Sequence, residues 1–189
     1  MKKSDTLNLS KIKIRRKLVL SENHFLSLAR SIISQQISTK AATSINARFL
    51  ALFNGRKPSP KLLLNIPEAE LRSAGLSRSK VIYLVDLANK FLDKTINPKL
   101  FEEMTDAEIK EHLVRVKGVG PWTADMFLIF ALNRPDVLPL GDLAIKKGFQ
   151  KAFNLRSTPT EKTMLRLAKA HQGNHTNLSL YLWQILDDK

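Results

Sequence analysis

Apolar residues along this chain recur every three or four positions, the spacing of one face of an α-helix. Phe25, Leu28, Ala29, Ile32 and Ile33 make the first stripe, with Ser21 placed to cap it. Ala42, Ile45 and Phe49 make the second, and Leu62, Leu63 and Leu64 a short third behind Ser59-Pro60, where serine suits the N-cap and proline the first helical position. Pro67 opens another short helix that Gly75 closes, and Val81, Leu84, Val85, Ala88, Phe91 and Leu92 define a longer one. Thr105-Asp106-Ala107-Glu108 has capping-box spacing ahead of Ile109 and Leu113. That helix is expected to stop near Lys117, because Gly118-Val119-Gly120-Pro121 follows. Pro121 begins the next, carrying Trp122, Ala124, Phe127, Leu128 and Ala131, until Asn133-Arg134-Pro135-Asp136 ends it. Asp142 stands at the start of a helix with Ile145, Phe149, Ala152 and Phe153. Thr160 caps one with Met164, Leu167 and Ala168, and after a loop over His171–Thr176 the last carries Leu178, Tyr181, Leu182 and Ile185. Only Lys11–Lys17 alternates as a short strand or extended arm would. Short helices with compact connections predict an all-α fold.

Length and charge narrow the class. At 189 residues the chain is one compact domain or two small lobes. The expected organisation is a basic, solvated N-terminal arm over 1–20 and a helical domain over 21–189, with a helical hairpin at about 105–132. Lysine and arginine number 31 against 17 acidic residues, a net charge of +14 spread along the chain. That balance points to nucleic acid or an anionic membrane surface. No apolar run approaches the ~18 residues of a membrane span, and no apolar segment follows Met1-Lys2-Lys3-Ser4-Asp5, so an intracellular location is expected. Cysteine is absent, which excludes disulfides, cysteine-ligated zinc and iron–sulfur clusters. His171 and His175 stand four apart, but no carboxylate lies between them and Gly173 breaks the helix, so no metal is expected.

The glycine hairpin is where charge and pattern meet. A tight turn at a helix N-terminus aims backbone N–H groups outward and attracts anions; in a basic chain that anion is a DNA phosphate. A lone Gly-x-Gly is more often a plain helix cap. Here it precedes Pro121-Trp122-Thr123-Ala124 and a later Pro139-Leu140-Gly141-Asp142. Taken alone, Asp142 reads as an N-cap, Trp122 as core, and Gln35 and Gln36 as partners of backbone groups at a helix junction.

Together these blocks resemble a known family. Val114–Ala124, Val-Arg-Val-Lys-Gly-Val-Gly-Pro-Trp-Thr-Ala, resembles the helix-hairpin-helix of the HhH-GPD DNA glycosylases, and Leu138–Lys146 resembles their Pro/Gly loop and catalytic aspartate. Gln35-Gln36-Ile37-Ser38-Thr39-Lys40-Ala41-Ala42 and Gly75-Leu76-Ser77-Arg78-Ser79-Lys80 are similar to two further blocks of the 3-methyladenine DNA glycosylase II type. The likeness runs from about Phe25 to about Trp183. It implies a compact helical HhH-GPD domain, with two helical lobes and the active site between them as one arrangement. The implied activity is a monofunctional glycosylase that flips and excises alkylated purines such as 3-methyladenine and 7-methylguanine in base excision repair. Asp142 would be catalytic, Trp122 and Met126 would line the base pocket, and Gln36, with Ile37 second, would be the wedge filling the gap left by the flipped nucleotide. Lys117, Gly118, Val119, Gly120, Thr123, Arg78 and Lys80 would meet the DNA backbone. The implied partner is double-stranded DNA with damaged bases, bound by a monomer without cofactor.

The departures matter as much. Bifunctional relatives place a Schiff-base lysine two residues after the second hairpin glycine, where this chain has Trp122, so strand cleavage is not expected. Where the family often has Trp-x-Pro-Tyr-Arg-Ser, this chain has His171-Gln172-Gly173-Asn174-His175-Thr176, which removes an aromatic wall at Asn174 unless a histidine substitutes. Met126 stands where some relatives have tyrosine. The N-terminal β-domain of longer bacterial enzymes is not expected within these 189 residues. Two other readings stay open: a non-catalytic helix-hairpin-helix DNA-binding or lesion-sensing protein, and a glycosylase for another base such as hypoxanthine or uracil.

Overall fold

The computed structural model describes residues 7, 9 and 13–187. Among them, the α-helices run in order: α1 His24–Ser34, α2 Thr39–Ala51, α3 Pro60–Leu64, α4 Glu68–Ser73, α5 Arg78–Leu92, α6 Asp106–Leu113, α7 Pro121–Phe130, α8 Leu143–Ala152, α9 Glu161–Ala168 and α10 His175–Asp187. Among the described residues there is no strand. Lys11 and Ile12 of the expected alternating segment lie outside the described residues, and 13–20 form no regular element.

The chain divides into two compact units, Ser21–Phe127 and the pair Met1–Leu20 with Leu128–Lys189. In the first, α5 packs against α1, α3 and α4, and α1 against α2. Phe25, Leu28, Ile32 and Ile33 of α1, Phe49 of α2, Leu63 of α3 and Leu84 and Leu87 of α5 are all buried. The stripe of α5 is narrower than its apolar pattern suggests: on its last turn Phe91 meets the Phe25 ring of α1 edge-on at 5.5 Å, while Leu92 beside it is 42% exposed. Two boundaries also move. Asn23, not Ser21, caps α1, its Oδ1 accepting from the Leu26 N–H at 3.0 Å, while Ser21 Oγ turns to Ser27 Oγ at 2.7 Å. And α6 ends at Leu113, so four residues of turn, rather than helix, lead into Gly118. Its start is as the sequence states: Thr105 N–H donates to Glu108 Oε2 at 2.7 Å and Glu108 N–H to Thr105 Oγ1 at 3.3 Å.

The second unit is built on α8 against α10. Gly148 makes the approach close: a Cβ there would lie 2.6 Å from the Leu182 carbonyl oxygen. Ile145, Phe149, Phe153, Met164, Leu167, Leu178 and Leu182 are its core, and Leu7 and Leu9 pack on that core. The arm is therefore not simply solvated. Arg15 N–H donates to Gln184 Oε1 at 2.8 Å and Gln184 Nε2 donates to Lys13 O at 3.1 Å, so one α10 side chain binds two points of the arm backbone.

Candidate active site and nucleic-acid interface

The hairpin between α6 and α7 turns its apolar residues inward and its backbone outward. Val116 and Val119 are buried, while Lys117 and Gly118 are exposed. Gly118 adopts φ +79°, and a Cβ there would sit 2.2 Å from a Tyr83 ring carbon, so both conformation and space demand glycine. Not every N–H of the turn is available to an anion. The Lys117 N–H is taken by Asp86 Oδ2 at 2.8 Å and the Val119 N–H by the Val116 carbonyl at 3.0 Å. Gly118 and Gly120 remain as the amides that can face a phosphate, and a Cβ at Gly120 would meet nothing within 4 Å.

Thr123 is 4% exposed, and its Oγ1 accepts from Gln35 Nε2 at 3.3 Å, so this side chain serves the interior rather than the DNA backbone contact expected of it. Lys80 is also diverted. Its ammonium donates to Ile33 O at 2.7 Å and Gln35 O at 2.9 Å, closing the end of α1, and burial lowers its pKa from the ordinary lysine value. Arg78, at the first position of α5, is exposed and stays a candidate for phosphate contact. Gln36 is exposed at the turn between α1 and α2 with φ +57°, and Ile37 beside it is half-buried.

Trp122, on the first turn of α7, is 47% exposed, so it is not core. Met126, one turn on, is half-buried. Between them in sequence, Asp125 is buried against Lys110, Nζ to Oδ1 2.7 Å. Burial raises the Asp125 pKa, with the lysine pulling the other way.

Asp142 is the N-cap of α8. Its Oδ1 accepts from the Ile145 N–H at 2.8 Å and from the Trp183 indole N–H at 3.4 Å. Trp183 stacks on Phe130, centroids 5.8 Å apart at 28°, and the Arg16 guanidinium lies 4.1 Å from the Phe130 ring centre. Sequence reasoning did not assign Trp183 or Arg16; a tryptophan eight residues along the helix from His175 carried no signal of its own. The loop before α10 is organised around Asp136, whose Oδ1 accepts from the N–H groups of Gly173 and His175 and lies 2.7 Å from His175 Nδ1. His175 is thereby committed to the loop, and Asn174 is exposed with its Oδ1 accepting from Asn177. Among the described residues, no group of three or more His, Cys, Asp or Glu is placed to hold a metal ion.

Residues 29–172 match the HhH-GPD superfamily of base excision DNA repair proteins. The chain belongs to this family. It is 41% identical over 175 residues to the DNA-3-methyladenine glycosylase of Saccharomyces cerevisiae, an alignment covering 88% of this chain and 59% of the yeast protein. It is 34% identical to DNA-3-methyladenine glycosylase 1 of Schizosaccharomyces pombe, covering 83% of this chain and 70% of that one. This HhH-GPD chain also superposes on the solved S. pombe 3-methyladenine DNA glycosylase in complex with abasic DNA, with a TM-score of 0.80, 31% identity, and coverage of 93% of this chain and 86% of that one. It thus spans about three fifths of the length of the budding-yeast relative. The helical HhH-GPD fold expected from the sequence is the observed one. No helix among the described residues is long and apolar enough to cross a membrane.

Proposed function

We propose that this protein is a monofunctional DNA glycosylase that excises alkylated purines, 3-methyladenine first among them, from double-stranded DNA inside the cell, acting as a monomer. The observation that carries the reading is Asp142, held by Ile145 and Trp183 at the head of α8 within the Pro-x-Gly-Asp motif. Breaking the N-glycosidic bond sends its electron pair to the departing base and leaves positive charge on the deoxyribose. A carboxylate fixed at that point stabilises the charge and accepts a proton from the water that adds to the sugar. Ile145 and Trp183 both donate to its oxygen, and the helix N-terminus adds its dipole, surroundings that suit a negative charge.

The base must leave the stack to be reached. The exposed Trp122 offers a π-face, which attracts a base made cationic by alkylation. Such a base leaves readily, so no general acid is required. Gln36 takes the vacated space, with Ile37 the second candidate for that role. Gly118, Gly120, Lys117 and Arg78 meet phosphates, aided by the net +14 charge. No step calls for a metal or cofactor.

The test is release of free base from duplexes each carrying one defined lesion. The expected result is release from 3-methyladenine or 7-methylguanine duplex with an intact strand and no borohydride-trappable adduct. Release only from hypoxanthine or uracil duplex would move the activity to another base, and the absence of an aromatic residue at Asn174 is the observation that favours that outcome. Binding to undamaged duplex should weaken with a slope of about −0.9 in log K against log salt per phosphate neutralised; a flat profile would remove DNA as the partner.

A further inference from the structure

The turn that carries Gln36 is held from outside itself. It leaves α1 at Gln35 and passes through Gln36 at φ +57°, a region that residues with a Cβ occupy at a cost. Lys80 grips it from α5, with Nζ bonds to the Ile33 and Gln35 carbonyls at 2.7 and 2.9 Å. Gln35 in turn reaches the glycine hairpin, Nε2 donating to Gly118 O at 2.8 Å and to Thr123 Oγ1 at 3.3 Å. The hairpin is anchored to α5 as well, through the Lys117 N–H on Asp86 and the Tyr83 ring against Gly118. Lys80, Tyr83 and Asp86 follow one another at three-residue intervals, along one side of the helix. One rigid helix thus fixes two turns that are far apart in sequence, and Gln35 ties those turns to each other.

We propose that Gln35 and Lys80 are positioning residues that lock the Gln36 turn to the glycine hairpin, so that a phosphate seated on the hairpin sets how deep Gln36 enters the base stack. This rests on the proposed DNA-facing roles of the hairpin and of Gln36. Neither Gln35 nor Lys80 needs to touch the nucleic acid. Both supply N–H donors to carbonyl oxygens, and both donors are polar groups whose removal leaves a carbonyl unpaired.

The test reads insertion without chemistry. A duplex carries 2-aminopurine beside a stable abasic-site analogue, and its fluorescence reports whether a side chain has entered the gap. Wild-type protein should change the signal, and Gln36→Ala should abolish most of that change. Gln35→Ala and Lys80→Met should weaken the insertion signal, measured as its apparent affinity, about tenfold, while affinity for undamaged duplex stays within about twofold. Gln35→Glu, which sets a carboxylate oxygen against the Gly118 carbonyl, should lose at least as much, and Lys80→Arg should recover most of the loss. In a Gln36→Ala background Gln35→Ala should add nothing, since both act through one element. Equal losses on abasic-site and undamaged duplex, or additive effects of Gln35→Ala and Gln36→Ala, would overturn the inference, as would a wild-type signal that does not change. If insertion behaves as stated but no base is released from any lesion, the proposed activity fails and the positioning roles stand.

Discussion

The Trp183 indole N–H and the Ile145 backbone N–H converge on the same atom, Oδ1 of Asp142, at 3.4 and 2.8 Å. A carboxylate held by two donors on one oxygen keeps a fixed plane. The cap role and the proposed catalytic role are therefore compatible in one residue: the first uses the geometry of Oδ1, the second the charge of the group.

Asp142→Asn separates the two. The amide oxygen still accepts from Ile145 and Trp183, so stability should hold within about 1 kcal/mol. Single-turnover release of 3-methyladenine should fall by about 10²–10³ or more, with affinity for an abasic-site duplex kept or slightly raised. Normal release, or early melting with lost binding, would make Asp142 only a cap. Glu111→Gln is the fitting control, since Glu111 is exposed and pairs with nearby Arg115 at 2.8 Å. Asp125 and Asp136 serve poorly as controls, because one is buried on Lys110 and the other organises the loop before α10.

Trp183→Phe keeps the ring on Phe130 and deletes the indole donor. The rate of base release should drop about three- to tenfold, the worth of one hydrogen bond, with KM and melting temperature little changed. A wild-type rate would show that the carboxylate is oriented without the indole.

The two hairpin glycines should respond differently to a methyl group, one in stability and the other in affinity. Gly118→Ala sets a Cβ 2.2–2.6 Å from three carbons of the Tyr83 ring at φ +79°, and should cost about 2–4 kcal/mol of stability. Gly120→Ala meets open space, so its melting temperature should match wild type while affinity for duplex falls, because the added methyl occupies the approach of a phosphate. Unchanged affinity would place the phosphate elsewhere.

Acid should weaken the fold from near-neutral pH downwards. His24 lies edge-on to Phe101 and Phe127, at 5.6 and 5.9 Å, with a buried Nδ1, and burial lowers its pKa below the usual 6.5. The folded state therefore prefers neutral His24. Its contribution is complete above pH 6.5 and is lost as pH falls through 6.5 and then through the folded-state value. His171, lowered by burial and by the neighbouring His175, adds in the same direction. Denaturant midpoints at pH 7.5 and 5.5 should differ for wild type, and His24→Phe should shrink that difference; an equal drop in both proteins would assign the loss to other groups.

What the sequence made legible was local. The capping box at Thr105 needs only four adjacent residues, and Gly118 announces its turn by its neighbours. The end of α6 was missed because Val114–Lys117 contains no breaker; the bonds there tighten instead, Arg115 N–H to the His112 carbonyl at 3.3 Å and Val116 N–H to the Leu113 carbonyl at 3.1 Å. Asn23 displaced Ser21 as cap because its amide also reaches the Pro58 carbonyl at 2.9 Å, a partner 35 residues away. Lys80 looks like any surface lysine in sequence, and its two carbonyl acceptors exist only once α1 and α5 have packed. Trp183 was hidden for the same reason: Asp142 and Phe130 come to it from two separate segments, and Arg16 reaches the Phe130 ring from a third.

The division of the chain sets an order on its making. Ser21–Phe127 is one unbroken stretch, whereas the other unit joins Met1–Leu20 to Leu128–Lys189. During synthesis, at about 5–20 residues per second, the hairpin and the Gln36 turn can settle as soon as their stretch has emerged. Arg16 is made well before them, yet its aromatic seat on Phe130 and the Trp183 beyond it come more than a hundred residues later. A nascent chain stopped before α10 would thus own the surfaces proposed to meet DNA and lack the indole that steadies Asp142.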